Sequence, residues 1–103
     1  MKHIELDNST GELVTGLFLT ENPGVHSEEL QIRLISDKAG NKKKVDFRIW
    51  IDSIFGNNGK YAGPTKKGFR LTLEQYQLFR NEIIPQIDAK LKSAMLADEP
   101  EAS

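Results

Sequence analysis

Hydrophobic and polar residues alternate along three stretches of the chain, which is the pattern typical of β-strands, and an apolar run precedes them. An apolar run at 13–19 ends at the turn signal Asn22-Pro23-Gly24. The stretches 27–36, 45–52 and 68–73 then each carry apolar side chains at every second position. We therefore predict four strands, and their mostly short connections favour antiparallel neighbours.

A helix is predicted to begin at Leu73. Thr72 and Gln75 have the spacing of a capping box, in which each side chain satisfies a free N–H group at the helix start. Because Pro85 lacks an N–H and crowds the preceding turn, we expect a kink or break near Ile84, with helix resuming to about Ala94. The apolar positions form one stripe at helical spacing: Tyr76, Phe79, Ile83, Ile87 and Leu91.

The remaining segments are predicted to be irregular. Gly40-Asn41 indicates a hairpin loop, and residues 53–68, rich in Gly, Asn and Pro, indicate a long loop. The fold class is therefore α+β, a four-stranded antiparallel sheet followed by a Pro-kinked C-terminal helix. One helix covers only part of such a sheet, so a homodimer is expected. We divide the chain into an N-terminal segment with a possible extra strand (1–27), a binding domain (28–95) and a disordered acidic tail (96–103).

Composition narrows the class of protein. The chain has 103 residues, no cysteine and no apolar run of the roughly 18 residues that a membrane helix needs. No secretory signal is apparent at the N-terminus, so a soluble cytoplasmic protein is expected, without disulfides or cofactors. His3 and His26 lack the spacing of metal ligands and are expected to be surface residues.

Charge is segregated along the chain although the net charge is only −1. Residues 1–32 carry one Lys and six acids, residues 33–70 carry ten Lys or Arg and three Asp, and residues 71–103 carry three cations and six acids. The positive charge is thus concentrated in the middle third. This pattern indicates a basic working surface on an otherwise acidic body.

Strand alternation places the basic residues on one predicted sheet face. Val45, Phe47, Ile49, Ile51, Phe69 and Leu71 would turn toward the helix, and Arg33, Arg48, Trp50 and Arg70 would share the opposite, exposed face, with Lys42, Lys43, Lys44, Lys66 and Lys67 at the strand ends. Bases of a single strand stack on an exposed indole while cations follow the phosphates. A strand Trp also occurs in cores and oligomer interfaces, and that alternative stays open.

Two further aromatic residues lie in the predicted long loop. Phe55 and Tyr61, the latter beside Lys60, are either additional stacking groups or residues that fix the loop to the body.

Catalysis is not expected. Asp46 and Asp52 share a strand face but are separated by roughly 20 Å, too far for a carboxylate pair. The loop has no P-loop spacing, and no nucleophile motif occurs.

The order of several motifs resembles the positive cofactor four family of single-stranded-DNA-binding transcriptional coactivator domains and their compact bacterial relatives. Asp46-Phe47-Arg48 with Trp50 is similar to the family's Asp-Ile-Arg strand and following aromatic. A Pro/Lys loop, Lys-Gly and a capped helix follow, carried here by Pro64, Lys66, Lys67, Gly68, Phe69, Leu71, Thr72, Glu74, Gln75 and Tyr76. The resemblance covers about residues 30–92.

The resemblance implies a dimer paired through its helices, with single strands crossing the exposed sheet faces. Arg48, Trp50, Lys66 and Lys67 match family positions of the binding surface, and 42–44 match the basic hairpin more loosely. The region 53–65 is longer than in the short members, so Lys60 and Tyr61 have no secure counterpart. Residues 1–27 lack the family's Ser/Lys-rich regulatory arm, so coactivation is not carried over.

The sequence thus predicts a bacterial or phage protein that binds single-stranded DNA with little sequence preference, in the cytoplasm at the nucleoid or in a phage-infected cell. Replication, recombination or transcription is the expected setting. RNA as the ligand, and a protein-protein interaction through the same basic face, remain alternatives.

Overall fold

A computed structural model describes residues 2–6, 11–36, 40, 42–56 and 58–98. The chain consists of two compact units: a sheet unit, Met1–Thr72, and a helical unit, Leu73–Ser103. Most of the predicted hairpin loop around Gly40-Asn41 and the end of the predicted acidic tail lie outside the described residues.

The sheet unit contains four antiparallel strands in the order β1-β2-β3-β4. Its strands are β1 (Glu12–Thr20), β2 (His26–Ser36), β3 (Lys43–Gly56) and β4 (Gly59–Thr72). The prediction of an α+β chain with a four-stranded antiparallel sheet before a C-terminal helix is confirmed. Because β1 pairs along β2, the first strand belongs to the same sheet as the predicted binding domain.

The predicted long loop at 53–68 is wrong. β3 runs to Gly56 and β4 begins at Gly59, so strand occupies most of this region. Pro64 fits because β4 is an edge strand, where a missing N–H leaves no neighbouring strand unpaired. The register then passes from Arg48↔Gly68 to Trp50↔Pro64, so residues 65–67 stand opposite Ile49 in a bulge.

The helical unit consists of α1 (Leu73–Leu78), a π-helical turn (Phe79–Ile83) and α2 (Ile84–Asp98). The helix begins at Leu73 as predicted. The alternative of a break near Ile84 is wrong: Pro85 has no N–H to donate four residues back, and the Ile84 N–H instead donates to the Phe79 carbonyl, five residues back. Helix also continues past the predicted end at Ala94, into the predicted tail.

Candidate nucleic-acid interface

Register across β2, β3 and β4 defines the face that carries the predicted binding residues. Residues directly opposite each other in an antiparallel pair lie on the same face. Arg33 is paired with Asp46 and Asp46 with Arg70, while Arg48 is paired with Gln31. We call this side the arginine face; it carries Ser27, Glu29, Gln31, Arg33, Asp46, Arg48, Trp50 and Arg70. The predicted grouping of the three arginines with Trp50 is therefore present.

The opposite side is apolar and is called the aliphatic face. Leu34 is paired with Val45 and Val45 with Leu71, and Phe47 is paired with Phe69. The Phe47 and Phe69 rings are stacked, with centroids 4.9 Å apart. The face comprises Leu30, Ile32, Leu34, Val45, Phe47, Ile49, Ile51, Phe69 and Leu71. Most of these side chains are half-buried, and Phe69 is 52% exposed.

A buried carboxylate holds two of the arginines. Asp46, 6% exposed at its side chain, accepts hydrogen bonds from Arg48 Nε (3.1 Å) and Nη2 (3.0 Å) and from Arg70 Nε (3.0 Å). Arg48 Nη1 also donates to the Thr65 carbonyl at 3.1 Å. Two guanidinium groups thus share one carboxylate, so the cluster keeps a net positive charge. A guanidinium has five N–H groups, which leaves Arg48 donors for a further anion.

Trp50 lies next to this cluster, but it is not exposed as predicted. Only 3% of Trp50 and 7% of Arg33 is accessible to solvent. The Arg33 guanidinium carbon lies 4.3 Å from the Trp50 ring centroid, a cation–π geometry. Among the described residues, no group accepts a hydrogen bond from the buried Trp50 Nε1. The prediction of an open indole platform is therefore wrong for this conformation.

The N-terminal segment, residues 2–6, covers part of the arginine face. The Ile4 N–H donates to Glu29 Oε1 at 3.0 Å, and Gln31 Nε2 donates to the Ile4 carbonyl at 2.7 Å. His3 Nδ1 is hydrogen-bonded to Glu29 Oε2, so His3 is not the simple surface residue that was expected. Glu29 and Gln31 are completely buried. An extended segment is thus fixed to β2 through its backbone.

A chain of polar contacts links this segment to Trp50. Gln31 Nε2 also donates to Glu29 Oε1 at 2.8 Å, and Arg33 Nε donates to Gln31 Oε1 at 2.9 Å. Burial alone raises the pKa of Glu29, but the hydrogen bonds from His3, Gln31 and the Ile4 N–H outweigh it and lower that pKa. Burial lowers the pKa of Arg33, opposed by the charges of Glu29 and Asp46.

The predicted lysines occupy three places. Lys66 and Lys67 are exposed in the β4 bulge, where Thr65 Oγ1 donates to the Ile49 carbonyl and accepts from the Lys67 N–H. Their position beside Arg48 follows from the register of the bulge. The second group, Lys42 to Lys44, lies at the start of β3: Lys44 is on the arginine face, paired with Ile35, and Lys43 points to the opposite side.

Lys60 and Tyr61 do not join the arginine face. They lie toward the far end of the β3–β4 hairpin: Tyr61 is opposite Ser53, roughly 30 Å along β3 from Lys44 by strand rise. Tyr61 is paired with Ser53 on the side of the aliphatic residues, and its hydroxyl donates to the Pro64 carbonyl at 2.6 Å. Both residues line a cavity of about 500 Å³ together with Ile51 and Phe55.

Sequence reasoning missed the residues that fix the N-terminal segment. Glu29 and Gln31 were counted only as polar positions of a strand, and Ile4 lies in a segment without periodicity. The available signal was weak: Gly16 on β1 is the position where a Cβ would overlap the Glu29 carboxylate. A glycine inside an alternating strand marks a close approach of this kind.

Over the described ranges, no group of three or more His, Cys, Asp or Glu side chains is placed to hold a metal ion, and no helix there is long and apolar enough to cross a membrane. No family model, curated protein or solved structure matches the chain. The resemblance to the positive cofactor four family therefore stays a prediction.

Proposed function

We propose that this protein binds single-stranded DNA through the arginine face, with little dependence on sequence. The supporting observation is the arrangement around Trp50: an indole with a stacked Arg33, a net positive Arg48–Asp46–Arg70 cluster and the bulge lysines beside it. Stacking groups next to cations suit a strand whose bases are not already paired. Trp50 is the stacking group, and the arginines and lysines contact phosphates or bases.

The unpaired indole N–H supports a ligand on this face. A buried donor without an acceptor costs roughly 1–3 kcal/mol relative to a satisfied one. Such groups are rare in native proteins and call for a specific explanation. A phosphate or base oxygen bound at Trp50 Nε1 would satisfy it, and the neighbouring guanidinium groups would attract that acceptor.

We further propose that the chain acts as a homodimer through its C-terminal helix. Three apolar residues at four-residue spacing on this helix, Ile83, Ile87 and Leu91, are exposed. In the sheet unit, Leu17 and Phe69 are also exposed. A stripe of exposed apolar side chains along a helix is a common mark of protein-protein contact, and a second copy of the chain provides a matching apolar stripe.

The first experiment is a titration with fluorescent oligo-dT and with a matching duplex at two salt concentrations. Tight binding that prefers the single strand and weakens with salt is expected, with a slope of log K against log salt of about −0.7 per neutralised phosphate. Because Trp50 is the only Trp, its fluorescence reports on the proposed site directly. Equal weak binding to both DNAs with unchanged emission would refute the proposal.

Matched charge variants test the site without disturbing buried residues. Replacing Lys66 and Lys67 together by Gln removes two exposed cations beside the arginine face. If both contact phosphates, the salt slope becomes shallower by about 1.4. Replacing Lys90 and Lys92 by Gln makes the same charge change on the helix and should leave the slope unchanged. Equal effects of the two pairs would exclude a localised binding face.

The dimer is tested by light scattering after size exclusion. Ile87→Glu places a charge in the exposed apolar stripe and should give a monomer. Gln86→Glu makes a comparable change at a neighbouring exposed position and should remain dimeric. A wild-type chain that is monomeric at all concentrations would contradict the proposal.

Two further experiments test the alternatives to DNA as the ligand. Tighter binding of oligo-U than of oligo-dT would indicate an RNA ligand. Capture of an acidic protein partner without DNA binding would favour a protein-protein interaction module.

A further inference from the structure

We propose that the N-terminal segment, residues 2–6, is an intramolecular cover, and that a single strand reaches Trp50 only after this segment leaves the arginine face. The inference rests on the proposed function and concerns the regulation of the same site. It gives a role to a part of the chain that lies outside the family resemblance.

Contacts on three strands define the path of the segment. His3 Nδ1 would lie 3.1 Å from a Cβ at Gly16 on β1. Ile4 is hydrogen-bonded to Glu29 and Gln31 on β2. Residues 2–5 line a cavity together with Asp52 on β3 and Ala62 on β4, which are paired on the arginine face. The segment therefore crosses the strands from β1 toward β4.

The crossing point lies over the row that contains Trp50. Glu29 on β2 is paired with Trp50 on β3, and Trp50 is paired with Pro64 on β4, next to Gly63. Adjacent strands are about 4.8 Å apart, so a segment that runs from β1 toward β4 passes across β2 and β3. The segment thus crosses the sheet at the Trp50 row, on the side from which a single strand would approach the indole and the Arg33 stacked on it.

The attachment is limited and therefore reversible. Ile4 is the one buried apolar side chain among residues 2–6, while Lys2, Glu5 and Leu6 are exposed. The attachment also includes hydrogen bonds: Glu29 accepts from the Ile4 N–H and is bonded to His3, and Gln31 donates to the Ile4 carbonyl. Water can replace these partners when the segment leaves. Segments with few buried apolar contacts detach locally at low free-energy cost.

A cover of this kind lowers the apparent affinity by the fraction of molecules that are open. If one molecule in ten is open, the measured Kd is about ten times the Kd of the open face. Weakening the cover should therefore tighten single-strand binding, although it removes contacts from the protein. Substitutions beside a binding site usually weaken binding, so tighter binding distinguishes a cover from a group that contacts the DNA.

The test uses the full chain with Ile4→Asp, which removes the apolar anchor and places a negative charge beside Glu29. We expect oligo-dT binding about tenfold tighter or more, and greater acrylamide quenching of Trp50 in the absence of DNA. Added negative charge by itself would weaken DNA binding, so tighter binding has the opposite sign to the simple electrostatic effect. Leu78→Asp, at an exposed residue of the helix, makes the same charge change outside the sheet unit and should leave both measurements unchanged.

Ile4→Gly provides a second variant without a new charge and should show the same two effects. If the wild-type chain binds oligo-dT and both Ile4 variants bind equally well or more weakly, the cover is refuted while the proposed function stands. If none of the chains binds oligo-dT, the proposed function and the cover fall together. Trp50 quenching that is unchanged in both Ile4 variants would refute the cover without reference to DNA.

Discussion

The two faces of the sheet reverse the usual relation between side-chain chemistry and burial. On the arginine face, Glu29 and Gln31 are completely buried and Trp50 is nearly so. On the aliphatic face, Phe69 is half exposed, and Leu17 on β1 is 61% exposed. Alternation along a strand thus determines the face on which a side chain lies. Whether that face is buried depends on which other segments of the chain pack against it.

The buried polar face is physically tolerable because its groups are paired. Glu29 accepts hydrogen bonds from Gln31 and the Ile4 N–H and is bonded to His3, and Asp46 lies between two guanidinium groups. Burying a charge without such partners is costly, and proteins avoid it. Polar pairing should therefore stabilise the arginine face, and apolar burial the aliphatic face. Substitutions on each face measure these two contributions separately.

The largest effect is expected at Asp46. Asp46→Ala leaves Arg48 and Arg70 without their shared carboxylate, which should lower the free energy of unfolding by about 2 kcal/mol. The value is below that of a fully buried pair because Arg70 is 55% exposed at its side chain. Urea unfolding measures it. Asp52 is an exposed acid on the same face, so Asp52→Ala should change the free energy of unfolding by less than about 0.5 kcal/mol. If the two variants lose the same free energy of unfolding, the contacts of Asp46 with Arg48 and Arg70 do not stabilise the fold.

A smaller effect is expected on the aliphatic face. Phe69→Ser removes the ring stacked on Phe47 and should lower the free energy of unfolding by about 1 kcal/mol. Phe55→Ser is the matched control, because Phe55 is 71% exposed and should tolerate the change. Thermal unfolding followed by circular dichroism compares them. A loss at Phe69 larger than that at Asp46 would reverse the ranking of the two faces.

The smallest effect is an acid dependence confined to the arginine face. Because the folded pKa of Glu29 is lower than its ordinary value of 4.5, its ionisation stabilises the fold at neutral pH. That contribution should disappear as pH falls from about 4.5 through the folded pKa. Urea unfolding at several pH values measures it, and Glu29→Gln should flatten this part of the profile. An unchanged profile in Glu29→Gln would show that the carboxylate does not stabilise the fold.

Much of the fold was predictable because it depends on local patterns. An apolar run predicted the first strand, and alternation predicted the other three and placed Arg33, Arg48, Trp50 and Arg70 on one face. A capping pattern predicted the helix start at Leu73. The long loop was mispredicted because turn-forming residues were weighed without knowledge of the strand's position. At a sheet edge, Pro64 costs no hydrogen bond between strands, and the bulge at 65–67 accommodates the extra residues.

The covered state of the site was not predictable from such patterns. The segment 2–6 has no periodicity, and its contacts with β2 join residues more than twenty positions apart. Whether Trp50 is open or covered depends on those contacts and not on its own strand. Lys60 and Tyr61 lie on the same strand pair as Trp50, a few residues away, but the pairing of Tyr61 with Ser53 places its ring on the opposite side of the sheet.

The π-helical turn before Pro85 affects the rotational phase of the helix. Phe79, Ile83, Ile87 and Leu91 recur every four residues, and in an ideal α-helix each such step rotates about 40° past a full turn. A turn closed by a hydrogen bond five residues apart winds more slowly and cancels part of that rotation. The turn before the proline thus acts as a phase correction between Phe79 and Ile83: it reduces the angle between these two side chains, which uninterrupted α-helical winding would set about 40° apart.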